Sequence, residues 1–497
     1  MKRLLIMSAV LAAVVVQAKV KLAAPFADGM VLQREMPVRV WGTADAGEKV
    51  QVVFADAHAD AVADKDGRWL VELPPMKASK VGRTLAANDV RISDVLVGEV
   101  WMCSGQSNTD CPIWGVSPRY RDGWGKMTLL STVKPFVRLV KTPLVMATEP
   151  KLDVEVKWRK MTPDDLLPVL NAGAKMPSAM GYYYALELAN ALDIPVGLVD
   201  SSWGGTNIDA WTPRSGYEGL TGLDAERDWK IIDQKDWKPE MKKGPINGAR
   251  QQPRVLWNGM VAAYVPMAVR GFIWYQGCHN SGEYSRYANK MHALYNGWVK
   301  EFRNPALSLY FVQLAPWGNA GIANIQEAQA KFAAEEKNAA MAVINDVGNL
   351  VDIHPNDKRT VAKRLVLHAL KRNYGWSQVR DESPTLKSWK IEGDKFVLSF
   401  NDAEGWYIYN PDRSMRTGFE ICGADGKWMP AKIVNLIESK DRKGKPQFNG
   451  PVKGKELIVV ADGVAEPKKL RYLYSSPWFG SVYSDACLPL GAFHIGD

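Results

Sequence analysis

Short apolar runs separated by polar turns fill the first hundred residues of the chain. Val38-Arg39-Val40-Trp41, Val50 to Phe54 and Trp69-Leu70-Val71 are such runs, with turn signals at Ala46-Gly47 and Asp66-Gly67 between them. They predict a small β-sandwich over residues 19–95. From Val95 the rhythm changes. An apolar strand, Val95 to Met102, enters a polar loop, and a helical pattern over Ala179 to Leu192 precedes a second strand, Pro195 to Val199. Strands and helices then alternate: Gly271 to Tyr275, a helix from about Tyr284 to Phe302, Leu307 to Leu314, a helix over Gln326 to Asn338, Ala340 to Ile344, and a helix over Asn356 to Leu370. Such alternation predicts an α/β fold over residues 96–385, a parallel sheet with helices on both faces. Active sites in sheets of this kind lie beyond the carboxyl ends of the strands. A charged, Trp-rich stretch near 215–255 interrupts the pattern and reads as an insertion. From residue 386 to 497 β patterning returns (Phe396 to Phe400, Gly418 to Cys422, Glu456 to Val460, Leu470 to Tyr474), which predicts a second, C-terminal β-sandwich.

The longest apolar run is Leu4 to Val16, preceded by Lys2 and Arg3 and followed by the small-residue pattern Val16-Gln17-Ala18. It predicts a cleavable signal peptide over residues 1–18, and hence a periplasmic or secreted protein. No interior stretch approaches the roughly eighteen apolar residues of a membrane helix, so no membrane partner is expected. Loss of Lys2 and Arg3 would take the formal charge from +9 to +7. The basic clusters (Lys242-Lys243, Lys468-Lys469, Lys440 to Lys445) are scattered rather than gathered in a stripe, which argues against nucleic-acid binding. The five cysteines have no metal-ligand spacing, and no metal or other cofactor is expected.

Six histidines permit elimination. His58 and His494 fall in the terminal β regions and His292 and His368 within helices, where packed or surface histidines are the rule. His279 and His354 remain. His354 sits in the loop Asp352-Ile353-His354-Pro355, between a strand and a helix, where a base would be presented. A nucleophile would lie in a similar loop, and Gly105-Gln106-Ser107-Asn108 supplies Ser107. Two more strand ends offer hydrogen-bond donors for an oxyanion: Trp203-Gly204-Gly205-Thr206, and Gln276-Gly277-Cys278-His279-Asn280 with its side-chain amide. Each motif is weak singly, and four unrelated polar loops remain the alternative.

Taken together, GEVWMCSGQSN (Gly98 to Asn108), SSWGGTNIDAW (Ser201 to Trp211), WYQGCHN (Trp274 to Asn280) and DIHP (Asp352 to Pro355) resemble the four blocks of the sialate O-acetylesterase family, within the SGNH hydrolases. DGMVLQR (Asp28 to Arg34) and the closing Leu470 to Phe493 are similar to it too. The resemblance implies an SGNH-hydrolase-like sheet and a sialate 9-O-acetylesterase type of activity on an O-acetylated sugar or glycan. It also implies roles: Ser107 as nucleophile, His354 as base, and the Ser107 N–H, Gly205 N–H and Asn280 amide as the oxyanion hole. An ester needs no metal once a base and preorganised donors are in place.

Three departures stand out. Asn108-Thr109-Asp110-Cys111-Pro112 replaces the family's Asn-Met-Glu-Met-Pro, and Cys278-His279 replaces Glu-Ser in the third block. The triad aspartate usually lies three residues before the histidine, where Val351 stands here. Asp352, one residue nearer, is expected to orient His354, with Asp346 as the competitor. Cys111 and Cys278 occupy loops that must adjoin, which leaves two readings of equal standing: a disulfide between them, with Cys422 to Cys487 by the same logic and Cys103 free, or five reduced cysteines packed as small apolar residues. Acetylesterase action on plant cell-wall polysaccharide (pectin, xylan or xyloglucan), a non-catalytic glycan-binding protein, and a cysteine enzyme using Cys278 with His279 are the competing readings. Neither the sugar nor the oligomeric state is encoded in the four blocks.

Overall fold

A computed structural model of the chain describes residues 20–114, 124–171, 177–221, 223, 248–317, 321–348, 352–409, 417–435, 439–440, 446–447, 452–474 and 480–496. The expected signal peptide at 1–18 and most of the expected insertion lie outside these residues. Six parallel strands form the centre: β1 (Val90–Gly105), β2 (Lys134–Lys141), β3 (Val196–Ser202), β4 (Gly271–Tyr275), β5 (Ser308–Val312) and β6 (Ala339–Ala342). Their order is β2-β3-β1-β4-β5-β6. Every one of these neighbouring pairs is parallel. β1 is buried continuously from Val95 to Gly105, as a strand covered on both faces must be.

Four helices cover the sheet: α1 (Ala179–Leu192), α2 (Tyr284–Glu301), α3 (Gly321–Glu335) and α4 (Lys358–Arg372). Tyr310 and Phe311 are adjacent in β5, so their side chains point to opposite faces. Tyr310 packs 5.5 Å from Trp101 and 5.6 Å from His368 of α4, and Trp101 lies 5.3 Å from Tyr184 of α1. Phe311 meets Phe332 of α3 at 5.6 Å, while Trp274 meets Trp298 of α2 at 5.8 Å. The two faces thus carry α1 with α4 and α2 with α3. α1 begins at Ser178, whose Oγ accepts the Gly181 N–H at 3.1 Å, and ends at the left-handed Asp193 two residues before Pro195.

β2 has no counterpart among the expected strands. Its apolar core, Val137 to Val140, is interrupted by Arg138 and bounded by Lys134 and Lys141. Those charges hide a buried strand in the sequence because they are paired: Arg138 Nη1 lies 2.9 Å from Asp94 Oδ2 and Lys141 Nζ 2.8 Å from Asp110 Oδ1. At the N-terminus Lys49–Phe54 and Arg68–Leu73 alternate exposed and buried positions, as half-buried strands do. β1 runs on from this region into the parallel sheet without a break, and Val40, Phe54 and Leu73 share one core with Trp101 and Leu198. The C-terminal β region has its own core, built on Phe396, Leu398, Trp406, Ile421, Leu457 and Tyr472. Its main sheet is seven-stranded and antiparallel. Among the described residues no helix is long and apolar enough to cross a membrane.

Glu99 marks the place where β1 passes from the N-terminal region into the parallel sheet. Its carboxylate is fully buried and receives Arg34 Nε at 2.6 Å, Arg270 Nε at 2.9 Å and Gln33 Nε2 at 3.1 Å. Burial alone would raise its pKa, but the hydrogen bond and charge of Arg270, with Arg34 and Gln33, outweigh it and hold the carboxyl below its ordinary value. The stability it contributes is therefore complete above the ordinary glutamate pKa and is lost as pH falls through the depressed folded value. Glu99→Gln should lower the unfolding free energy at neutral pH by about 3–5 kcal/mol, the usual cost of stranding buried charge. Denaturant titrations should show that deficit shrinking in acid; a deficit independent of pH would contradict the assignment.

Candidate active site

At the carboxyl end of β1 the backbone has room only for a glycine. Gly105 has φ 136°, and a Cβ there would meet Tyr275 O at 2.4 Å and Thr109 Oγ1 at 2.5 Å. The chain then closes a single helical turn, Ser107–Asp110, with the Thr109 and Asp110 N–H groups on Gln106 O. Tyr275 O, at the end of β4, accepts the Gln106 N–H at 3.1 Å and the Thr109 hydroxyl at 3.0 Å. The Gln106 side chain accepts the Gly277 and His279 N–H groups at 3.2 and 3.4 Å. Ser107 opens the turn, so its own N–H has no intrahelical acceptor.

The loop before α4 brings His354 to it. His354 Nε2 lies 3.0 Å from Ser107 Oγ, and Nδ1 lies 2.7 Å from Asp352 Oδ1, which also accepts the His354 backbone N–H at 3.0 Å. A carboxylate at Nδ1 places the ring proton there and leaves the Nε2 lone pair facing the serine hydroxyl. The nearer spacing of Asp352 works because one carboxylate oxygen takes both the ring and the backbone of the residue two positions on. Asp346 is committed elsewhere, holding Arg364 in a two-pronged pair at 2.6 and 2.7 Å.

The other two expected loops join the same place. A Cβ on Gly204 would stand 3.4 Å from Ser107 Cβ. The Gly204 N–H is spent on Asp110 Oδ2 at 3.3 Å, whereas the Gly205 N–H has no acceptor among the described residues. Gly205 is left-handed, with φ 70°, and Gln251 Nε2 holds its carbonyl at 2.6 Å. Asn280 is buried. Its Oδ1 accepts Ile208 N–H at 3.1 Å and Gln276 Nε2 at 2.7 Å, and Nδ2 donates to Glu283 Oε2 at 2.8 Å. One Nδ2 hydrogen remains for an oxyanion, so the Asn280 contribution is narrower than a free amide would give. Ser107, His354, Asp352 and Gly205 thus converge on one site, with Asn280 in the loop clasped by Gln106.

Residues 97–361 match the family model described as carbohydrate esterase, sialic acid-specific acetylesterase. The chain belongs to this family. It is 29% identical over 467 residues to the sialate O-acetylesterase of Rattus norvegicus, covering 81% of this chain and 83% of the relative. The human sialate O-acetylesterase is 28% identical, over 81% of this chain and 80% of its own. Among solved structures, a carbohydrate acetylesterase from Xanthomonas citri superposes with a TM-score of 0.78 at 28% identity, covering 96% of this chain and 99% of its own. This acetylesterase is accordingly a carboxylic ester hydrolase.

Within that family its departures have local explanations. Asp110, shorter than the usual glutamate, still bridges loops: Oδ2 takes the Gly204 N–H, and Oδ1 takes Lys141 Nζ, which also reaches Asp200 Oδ2 at 3.1 Å and Ser202 Oγ at 3.0 Å. Burial alone would discharge Lys141, but Asp200 and Asp110 raise its pKa and keep it charged. The carboxylate that reaches Asn280 comes from Glu283. Sequence reasoning passed over Lys141, Glu283 and Lys358, since a lone charge on a strand end or first helical turn resembles any solvated residue.

The disulfide reading does not hold: no two of the five cysteines are bonded to each other. Cys111 turns to the start of α1, where its carbonyl takes the Ala179 N–H at 2.7 Å, and the two loops meet through Gln106 instead. Cys422 is buried in its strand, whereas Cys487 sits in an exposed turn beside Tyr407. Burial pushes the Cys278 thiol up to about 12, so it is not the thiolate a cysteine enzyme needs. His279 is exposed at the surface, and the desolvation it does suffer, followed by the charge of Arg250, lowers its pKa.

The two aspartates separate in a direct comparison. Asp352→Asn should lower kcat about 10⁴-fold with the fold retained, because it favours the wrong imidazole tautomer. Asp346→Asn should keep kcat within a few-fold and lower the melting temperature by freeing Arg364. Equal kcat losses, or a loss confined to Asp346→Asn, would reverse the assignment.

Proposed function

We propose that this acetylesterase is an exported carbohydrate O-acetylesterase that removes acetyl groups from sugar hydroxyls through a serine acyl-enzyme, of the sialate 9-O-acetylesterase type, on an SGNH-hydrolase sheet. The observation that carries the reading is the continuous line from Asp352 Oδ1 to His354 Nδ1 at 2.7 Å and from His354 Nε2 to Ser107 Oγ at 3.0 Å. Ser107 Oγ attacks the acetyl carbonyl as its proton passes to His354 Nε2, and Asp352 stabilises the imidazolium. Negative charge develops on the carbonyl oxygen, where the Ser107 and Gly205 N–H groups and the remaining Asn280 hydrogen are the available donors. The imidazolium then gives its proton to the departing sugar oxygen, leaving acetyl-Ser107. In the second half His354 takes a proton from water, the hydroxide attacks the acetyl carbonyl, and the proton returns to Ser107 as acetate leaves.

The likeness to the rat and human sialate O-acetylesterases supports a sialate ester, and the apolar run Leu4 to Val16 behind Lys2 and Arg3 supports export to the periplasm or medium. A second reading keeps the broader activity of the Xanthomonas citri carbohydrate acetylesterase, matched over nearly the full chain, with acetylated plant cell-wall polysaccharide as the alternative substrate. Ser107→Ala should abolish acetate release with its melting temperature unchanged, and appreciable residual turnover would sink the mechanism. Acetate release across O-acetylated sialosides, pectins and xylans separates the substrates: highest kcat/KM on 9-O-acetyl sialosides is expected, and a preference for pectin or xylan would transfer the assignment to the second reading.

A further inference from the structure

Asn108 follows the nucleophile and is almost wholly buried. Its carboxamide is divided between two residues of the histidine side of the site. Nδ2 donates to Ile353 O at 2.9 Å, and Oδ1 accepts from Lys358 Nζ at 2.6 Å. The same ammonium donates to Pro355 O at 2.6 Å. Ile353 and Pro355 are the two chain neighbours of His354, so both flanks of the base are tied to the residue beside Ser107. Lys358 Nζ also lies 5.6 Å from the centre of the Tyr275 ring, whose own backbone carbonyl anchors the other side of the nucleophile turn.

A fully buried lysine is expensive to keep, and α4 does not depend on it for its start or its seat. Asp357 caps the helix through the Thr360 N–H at 2.9 Å, and Val361, Ala362 and Leu365 bury it against the sheet. We infer that Lys358 and Asn108 form a positioning pair that sets the Ser107 to His354 separation. The inference rests on the reading of Ser107 and His354 as the reacting pair. The pair acts through the loop it holds, and a misplacement of about 1 Å in such a site costs on the order of 10²-fold in rate.

The test is a double-mutant cycle read in kcat and KM on p-nitrophenyl acetate, with Ser107→Ala alongside. Asn108→Ala and Lys358→Met should each lower kcat about 10²-fold with KM nearly unchanged. The double variant should be no slower than the slower single, since either change opens the same bracket. Asn108→Asp, which still accepts from Lys358, should recover part of the rate lost in Asn108→Ala; this comparison stands alone if Lys358→Met does not fold. Singles with parental kcat, losses that multiply in the double, or no recovery in Asn108→Asp would overturn the pair while Ser107→Ala stays inactive. Activity in Ser107→Ala would instead overturn the catalytic reading beneath it.

Discussion

Ser107 Oγ and His354 Nε2 stand 3.0 Å apart although 247 residues separate them in the chain, and holding that contact is the constraint around which the site is organised. The parallel sheet solves the coarse part. β1 lies between β3 and β4, so the loops leaving these three strands emerge side by side where connections diverge to opposite sides of β1. The finer part is local crowding: Gly105 lets β1 end against Tyr275 O, and the helical turn that follows opens on Ser107.

Buried charge then fastens the loops. Lys141 holds Asp110 of the nucleophile turn to Asp200 and Ser202 at the end of β3. Lys290 in α2 binds Asp209 Oδ2 at 2.8 Å and Glu283 at 3.1 Å, and Glu283 in turn holds Asn280. Lys358 holds Asn108 and Pro355. Each ammonium loses hydration when the protein folds and is compensated by hydrogen bonds only if its acceptors sit in the native arrangement, which makes these pairs better at specifying a geometry than at adding stability.

The parts of this arrangement that were legible in sequence are those with strong local signals. α1 matches its expected span, Ala179 to Leu192, because a serine cap opens it and a left-handed aspartate ahead of a proline closes it. β4 matches because five apolar residues end at a glycine-containing loop. His354 emerged by elimination and by its place between a strand and a helix. β2 was hidden by charges that tertiary partners neutralise, and the sequence left the cysteines open between paired and reduced because adjacency of two loops does not say which side chains face the contact. Lys141, Glu283 and Lys358 carry no local signature at all, since what makes them structural is the distant carbonyl, carboxylate or amide they meet.

The central claim is covalent: the acetyl group resides on Ser107 between its two transfers. Rapid acid quenching during the first turnover of p-nitrophenyl acetate, followed by peptide mass mapping, measures this directly. The account predicts an acetyl ester on the peptide containing Ser107, located on that serine and appearing no more slowly than free acetate. Turnover with no acetylated peptide, under conditions where p-nitrophenol is released in a burst ahead of acetate, or acetyl found on another residue, would contradict it.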